Sequence, residues 1–368
     1  KEDKRIRYKL LDTNAGISGN TNEGLKMAAG EFIGLADHDD LLTPDALYEV
    51  VRAINKNRLI DTVYTDEDKT DLSGKVFSMP HFKPDYNPDY FMANNYICHF
   101  FLTKREIALA TGGFDSNYDG AQDYDFICKC IERSEVVHHI PKVLYHWRCH
   151  SDSTAGRPES KLYAYENGVK VVSDHYKRCG INAKVSMYPD AYGYYRTEYL
   201  CDKTDISIIY TGNNKNEDRH ITWPHEEYYV DDYNPEKIND IIRRQNNRYV
   251  LLLDNSLYIT DEGIQNLVGN VMREDVAAAG GRIYDRRDKL VYGGLVLGVK
   301  GFFGYSFQGA SSKDRGYYLR INVPQNTMGV DIRCMMIDTE YFDKVGSFGV
   351  EFPATMSGVD YCLKVVYS

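Results

Sequence analysis

The chain is punctuated by short apolar runs that end in acids. Phe32-Ile33-Gly34-Leu35-Ala36 runs into Asp37-His38-Asp39-Asp40, and Ile60-Asp61-Thr62-Val63-Tyr64-Thr65 runs into Asp66-Glu67-Asp68. Between them, Leu47, Val50, Val51 and Ile54 recur at helical spacing. Thr43-Pro44-Asp45 reads as the start of that helix, with Thr as N-cap and Pro in the first turn. Upstream, Ile6-Arg7-Tyr8-Lys9-Leu10-Leu11 alternates as a strand does. The turn residues Asn14 to Asn20 then lead into a helix of about ten residues from Thr21, ended by Gly30. Strand, helix, strand, helix and strand in succession predict an α/β unit with a largely parallel sheet and helices on its faces. In such sheets ligands bind beyond the C-terminal ends of the strands, where Asp37 and Asp39 fall.

Residues 75–103 are loop-rich and aromatic; helices are expected near 104–111 and 122–133, a strand over 140–150 and a helix over 161–178. Near residue 203 the pattern restarts. Asp205 to Tyr210 and Tyr249 to Asp254 read as strands, Asn234 to Gln245 as a helix, and Thr260 caps another helix carrying Ile264, Leu267 and Val271. Three landmarks recur in order: the apolar run ending at Asp37 or Asp254, Gly112-Gly113-Phe114 or Gly346-Ser347-Phe348, and Asp123-Tyr124 or Asp360-Tyr361. The expected organisation is two copies of one domain, residues 1–200 and 201–368. The second keeps Asp254 but replaces the later acids with Asn255-Ser256, weaker ligands for a divalent ion.

Length and charge narrow the class. The 368 residues suit two or three domains, at about 150 residues each. A net charge of −10 and a pI near 5.5 argue against a nucleic-acid binder, which needs a basic face, and disfavour binding anionic membranes by overall charge. No stretch approaches the ~20 apolar residues of a membrane span, and no signal-peptide pattern opens the chain. The eight scattered cysteines include no Cys-x-x-Cys pair, so reduced thiols in a cytoplasmic protein are expected.

The candidate chemistry centres on the first acidic run. Carboxylates as close as Asp37 and Asp39 repel unless a cation shares them, and a hard divalent ion is the usual answer; a polar turn that caps helix and loop accounts equally well for the bare motif. Asp123 and Asp125 fall in the first turn of a helix, where acids also suit the dipole.

Over roughly residues 6–185 the chain resembles the family-2 glycosyltransferases with a GT-A fold, particularly bacterial enzymes of surface-polysaccharide assembly. The resemblance rests on Asn14-x-Gly16-Ile17-Ser18-x-x-x-Asn22, Ala29-Gly30-Glu31-Phe32, Asp37-His38-Asp39-Asp40, Gly112-Gly113-Phe114, Gln122-Asp123-Tyr124-Asp125 and His146-Trp147-Arg148-x-His150-x-x-Ser153. The second copy is similar through Asp254, Ala279-Gly280-Gly281-Arg282, Tyr292-Gly293-Gly294 and Asp360.

That resemblance implies a Rossmann-like, mostly parallel sheet in two tandem copies, and transfer of a sugar, with inversion, from a UDP-, GDP- or dTDP-linked donor to a hydroxyl of a glycan or lipid-linked acceptor. By motif position Asp39, with Asp37 assisting through a water, would hold Mn²⁺ or Mg²⁺ against the donor diphosphate. His150, or else His146, would approach from the far side. Asp123 would be the general base, with Asp125 raising its pKa or capping the helix. Asp66, with Asp68, would lie near donor hydroxyls, and Asn22 would stand with the donor-binding residues. A cytoplasmic location is implied, with peripheral association at the inner face of the plasma membrane as a variant; no nucleic-acid partner is expected. Two departures stand out: Thr21 occupies a position where many members carry Arg, and the family's first strand and base-binding loop would precede Lys1. The chain is therefore expected to be a fragment cut at both ends, its C-terminus inside a helix that begins near Asp360. The alternative is a non-catalytic glycan-binding or scaffolding protein.

Overall fold

A computed structural model describes residues 3–149, 162–213 and 220–368. Residue contacts divide the chain into two compact units, Lys1–Gly180 with Val185–Thr197, and Ile181–Lys184 with Glu198–Ser368.

Unit 1 runs α1 (Gly16–Met27), β1 (Phe32–Leu35), β2 (Leu41–Leu42), α2 (Ala46–Lys56), β3 (Thr62–Thr70), β4 (Phe77–His81), α3 (Pro88–Ala93), β5 (Phe101–Lys104), α4 (Arg105–Ala110), α5 (Gln122–Ile131), β6 (Val137–Arg148) and α6 (Leu162–Arg178). Its sheet has the order β1-β5-β3-β6-β2, with β4 added to β3. The expectation of a mostly parallel sheet is corrected here. Only β3 and β6 pair in parallel; β5 runs antiparallel to both β1 and β3, and β2 antiparallel to β6, so the sheet is mixed. The reason lies in residues 75–103, whose aromatic loops deliver β5 as an inserted antiparallel strand between β1 and β3.

Ile6 to Leu11 forms no strand either: Ile6, Tyr8 and Leu10 stand 74, 82 and 86 % exposed, with no described strand beside them to pair with. α1 begins at Gly16 rather than Thr21, and α2 at Ala46, two residues beyond Pro44, with Asp45 at its N-cap position. α3 starts as its sequence dictates, with Pro88 in the first turn and Asn87 Oδ1 accepting from the Tyr90 N–H at 3.1 Å. The core of unit 1 gathers Ala46, Val50 and Ile54 of α2 against Val63, Leu102, Ile140 and Leu144 of the sheet. This packing leaves the C-terminal end of β1 open.

A two-stranded ladder, β7 (Ala183–Tyr188) and β8 (Ala191–Tyr199), falls mostly in unit 1, with the first residues of β7 and the last of β8 counted to unit 2. Unit 2 then runs β9 (Ile206–Thr211), β10 (His225–Val230), α7 (Pro235–Arg244), β11 (Tyr249–Asp254), α8 (Asp261–Val271) and β12 (Ala278–Gly280). Two small ladders follow, β13 (Ile283–Tyr284) with β14 (Leu290–Tyr292) and β15 (Leu295–Leu297) with β16 (Phe303–Tyr305), before β17 (Cys334–Asp338), α9 (Thr339–Val345) and α10 (Ala354–Tyr367). The main sheet has the order β10-β9-β11-β17-β12; β9 lies parallel to both neighbours and β17 antiparallel to both of its own. Thr260 caps α8 as expected, its Oγ1 accepting from the Gly263 N–H at 3.1 Å. All eight cysteines are free thiols. No helix among the described residues is long and apolar enough to cross a membrane.

Candidate active site of unit 1

β1 carries the chain to Asp37, and β2 fixes the acidic loop that follows by pairing Leu41 with His146 and Leu42 with Tyr145. The loop is then stitched to the end of β6. The Tyr145 hydroxyl donates to Asp40 Oδ2 at 2.5 Å and accepts from the Asp37 N–H at 3.2 Å. The Arg148 N–H donates to Asp40 Oδ1 at 2.7 Å, and Arg148 Nε to the Asp39 carbonyl at 2.5 Å.

Across from Asp37 stands His99, which no sequence motif singled out. The β1–β5 register pairs Leu35 with Phe101, and continuing it two residues sets His99 opposite Asp37. Its Nε2 lies 3.8 Å from Asp37 Oδ2. Its Nδ1 lies 3.3 Å from Glu67 Oε2, and its own N–H donates to that oxygen at 2.6 Å, while its ring stacks on Tyr145 at 4.8 Å. Glu67 is locked in turn by Lys83 Nζ at 3.5 Å and by His81 at 3.6 Å, and Lys83 also donates to the carbonyls of Ile97 and His99. Burial pushes the Glu67 carboxyl up, but Lys83, His81 and His99 outweigh it and hold Glu67 well below the usual range. A buried charge so thoroughly paired is a rigid foundation.

The electrostatics at the mouth follow. Asp37 is open to solvent, yet partial desolvation by the surrounding walls raises its carboxyl; His99 pulls it down, and repulsion from Asp40, Asp123 and Asp39 pushes it up again. Burial would lower His99, but Glu67, Asp37 and Asp123 leave it raised above its usual range. Asp123, in the first turn of α5, accepts from Asn95 Nδ2 at 3.0 Å. Asn95 Oδ1 is buried and has no hydrogen-bond partner among the described residues.

Ligand atoms of Asp37, Asp40 and His99 all lie within 4.8 Å of one another. Two carboxylates and an imidazole suit a small divalent ion such as Mn²⁺ or Mg²⁺, so the donor set fits the metal that the resemblance implies.

The sequence-expected residues divide. Asp37 and Asp123 are drawn into this cluster. Asp39 and the exposed His38 sit at its rim, with the Asp39 carbonyl rather than its carboxylate in the Arg148 contact. His150 lies outside the described residues. His146 Nδ1 meets Asp68 Oδ1 at 2.5 Å, so each satisfies the other, and its ring lies tilted against Phe77. Asp66 is 3 % exposed; its Oδ1 accepts from the Lys83 N–H at 2.8 Å and meets His139 Nε2 at 2.9 Å, so the structure places it inside the unit, away from Asp37.

Asn22 is held by Phe114. Its Nδ2 donates to the Phe114 carbonyl at 2.8 Å and its Oδ1 accepts the Phe114 N–H at 2.8 Å, a two-bond clamp between α1 and the Gly112-Gly113-Phe114 turn. Gly113 has φ +86°, and a Cβ there would meet Asn22 Oδ1 at 2.4 Å, so only glycine fits beneath the clamp. Asp125 is fully buried and paired with Lys129 at 2.6 Å; burial raises its carboxyl and Lys129 counters. The sequence reading grouped Glu67 with Asp66 and Asp68, although the period of two in a strand separates them; on that ground alone Glu67 belongs to the other face.

The acid cluster at the end of the first strand is fixed from behind by Glu67 and its partners Lys83, His81 and His99. Residues 1–110 match the model of the family described as Glycosyl transferase family 2, and unit 1 has a GT-A-like α/β fold with a mixed sheet. The O-antigen biosynthesis protein RfbC of Myxococcus xanthus is 28% identical over 413 residues, covering 99% of this chain and 32% of that protein. The chondroitin synthase of Escherichia coli is 32% identical over 180 residues, 48% of this chain and 25% of that one. Among solved structures, S. aureus TarS 1–349 in complex with UDP-GlcNAc aligns with 45% of this chain and 48% of its own at 18% identity and a TM-score of 0.34. The chain spans 45% and 32% of the curated relatives that match nearly all of it.

Proposed function

We propose that unit 1 transfers a sugar, with inversion at the anomeric carbon, from a nucleotide-linked donor to a hydroxyl of a glycan or lipid-linked acceptor in surface-polysaccharide assembly at the cytoplasmic side of the membrane. The observation that supports this reading best is the convergence of Asp37, Asp40 and His99 at the end of β1 with Asp123 close by. Asp37, Asp40 and His99 would hold Mn²⁺ or Mg²⁺, and that ion would neutralise the charge gathered by the departing nucleoside diphosphate. Glu67 fixes the His99 ring by receiving both its Nδ1 side and its backbone N–H, so the imidazole keeps Nε2 toward Asp37. Asp123 accepts the proton of the acceptor hydroxyl as its oxygen attacks, a contribution of about 10²–10⁴ in rate. Asn95 orients that carboxylate through Nδ2.

For unit 2 the observations favour a degenerate, non-catalytic copy. Asp254 is closed off by the Tyr233 hydroxyl and by Ser256, whose N–H and O–H donate at 2.7 and 2.5 Å. Arg333 stands across the ladder where His99 stands in unit 1, its carbonyl accepting the Asp254 N–H at 2.8 Å. The Arg333 guanidinium is paired with Asp331 at 2.6 Å, so no imidazole or second carboxylate stands at this position beside Asp254.

The test uses calorimetry with UDP, GDP and dTDP in the presence of Mn²⁺, followed by nucleotide release from the matching nucleotide-sugar. The wild-type chain and Asp123→Asn are expected to bind one of these nucleotides alike, with release lost in the variant. No binding of any nucleotide, or undiminished release from Asp123→Asn, contradicts the reading.

A further inference from the structure

At the end of α5 opposite Asp123, three kinds of metal-ligating side chain converge. Glu132 caps the C-terminus of α5, its N–H bonded to the Cys128 carbonyl at 2.9 Å. His175 lies in the last turn of α6, and Cys179 follows that helix with its N–H bonded to the His175 carbonyl at 3.0 Å. A spacing of four sets the His175 and Cys179 side chains one above the other on a single helix face. Asp123 stands in the first turn of α5 and Glu132 just past the last, about 13 Å apart along the helix, so this cluster is separate from the one at Asp37.

The ligand atoms are already gathered. One from each of Glu132, His175 and Cys179 lies within 4.8 Å of the other two. His175 Nδ1 is 2.8 Å from Glu132 Oε1, and Cys179 Sγ is 3.9 Å from both ring nitrogens of His175. Around a tetrahedral ion with bonds of about 2.0–2.3 Å, neighbouring ligand atoms stand about 3.5 Å apart. The first contact therefore opens and the second closes by less than about 1 Å. Glu132 and His175 are half-buried and Cys179 is exposed, so the back of the cluster is fixed and its mouth faces water. Two helices end here, and the partial negative charge of each C-terminus favours a cation. Arg178 supplies that cation on Glu132, its Nη2 donating to Oε1 at 2.6 Å and its Nε to Oε2 at 3.0 Å, with Arg133 3.8 Å from Oε2. A carboxylate has about four lone-pair positions, so Arg178 keeps Oε2 while Oε1 turns to an ion. The repulsion of the two guanidiniums is what the charge of a thiolate has to offset.

We propose that Glu132, His175 and Cys179 form a zinc site that clips the C-terminal end of α5 to that of α6. A thiolate and an imidazole are ligands that select zinc over Mn²⁺ and Mg²⁺, which take oxygen, so this site and the cluster at Asp37 divide the metals between them. As the Zn–S bond forms, the S–H bond of Cys179 breaks and its proton passes to solvent. His175 turns the Nδ1 lone pair from Glu132 to the ion, Glu132 gives Oε1, and water fills the fourth position on the exposed side. One carboxylate and one thiolate balance the two charges of the ion, which leaves no net charge at the junction. The clip holds the helix that carries Asp123 at its other end, and it stands whether or not unit 1 transfers a sugar.

The probe is Co²⁺, titrated into the whole reduced chain after its metals have been removed. A thiolate bound to Co²⁺ gives a charge-transfer band in the near ultraviolet that oxygen and nitrogen ligands do not give. One such band per chain is expected, displaced by stoichiometric Zn²⁺ and left in place by excess Mn²⁺. Cys179→Ser, at an exposed position, should abolish the band. His175→Gln and Glu132→Gln should each weaken Co²⁺ binding about tenfold or more, and Asp37→Asn should leave it unchanged. Circular-dichroism spectra like that of the wild type show that the variants are folded. The proposal is overturned if no band forms, if the band survives in Cys179→Ser, or if it is lost in Asp37→Asn. It is equally overturned if His175→Gln and Glu132→Gln bind Co²⁺ as the wild type does.

Discussion

Unit 1 and unit 2 solve the same packing problem and then spend the result differently. In both, an asparagine on the helix before the acid-bearing strand clamps a Gly-x-Phe turn with two hydrogen bonds. Asn22 holds Phe114, and Asn239 holds Phe348 through bonds of 2.8 and 3.1 Å. In both, the acid-bearing strand meets an antiparallel partner at the same offset, so that residue 99 faces Asp37 and residue 333 faces Asp254. The difference is in what the frame presents. Unit 1 offers two carboxylates and an imidazole braced by Glu67; at the matching positions unit 2 offers one carboxylate, bonded by Tyr233 and Ser256, and an arginine paired with Asp331.

The largest expected contrast is in the helices that follow the acids. Ile264→Ala removes a fully buried side chain from unit 2 and should destabilise it by about 2–5 kcal/mol, whereas Leu47→Ala at the matching exposed position should stay within about 0.5 kcal/mol. Urea denaturation of the two variants measures both. Equal losses would show that Leu47 is covered and would remove the asymmetry between the two helices.

The clamps give the next effect. Asn239→Ala and Asn22→Ala each strand a backbone N–H and C=O, at about 1–3 kcal/mol for each group left unsatisfied in a buried setting, with Asn22 at the lower end because it is only half-buried. The same denaturation curves should shift in both variants. If Asn22→Ala left stability unchanged and abolished nucleotide binding instead, Asn22 would be a donor contact and the clamp an accident of packing.

A smaller effect distinguishes the units by pH. In unit 1, burial pushes the Glu132 carboxyl up, but hydrogen bonds from His175 at 2.8 Å and from Arg178 at 2.6 Å win and hold it at about 2, below its ordinary 4.5. A carboxyl depressed by folding adds stability that is complete above its unfolded value and fades as pH falls through its folded value. Unit 1 should therefore lose this contribution between about pH 4.5 and 2, and Glu132→Gln should flatten the acid limb of its unfolding curve. An unchanged acid limb would mean that Glu132 is not held by His175 and Arg178 in solution.

Much of this plan was legible in the chain itself. The apolar runs ending in Asp37 and Asp254, the Thr260 cap and the paired Gly-x-Phe turns declared themselves because each is local: a periodicity, a capping residue, a left-handed glycine. What stayed hidden was non-local. β5 sits in an aromatic loop region with only four residues of its own, so its insertion between β1 and β3, and with it the mixed sheet, could not be read from periodicity. His99 became a site residue only through that register. Asp66 looked like a ligand contact because acids after a strand usually face solvent, yet the bend of β3 against β6 turned it inward onto His139. The strand expected at Ile6–Leu11 has the right pattern but no described neighbour, and pattern alone does not make a strand.

The central claim is that the metal site of unit 1 is built from Asp37, Asp40 and His99, and that unit 2 has none. Electron paramagnetic titration of Mn²⁺ into the whole chain tests it directly. The account predicts one site per chain, weakened about tenfold or more in Asp37→Asn and in His99→Ala, and unaltered in Asp254→Asn. Loss of Mn²⁺ in Asp254→Asn, or in Asp39→Ala while His99→Ala binds normally, would contradict it.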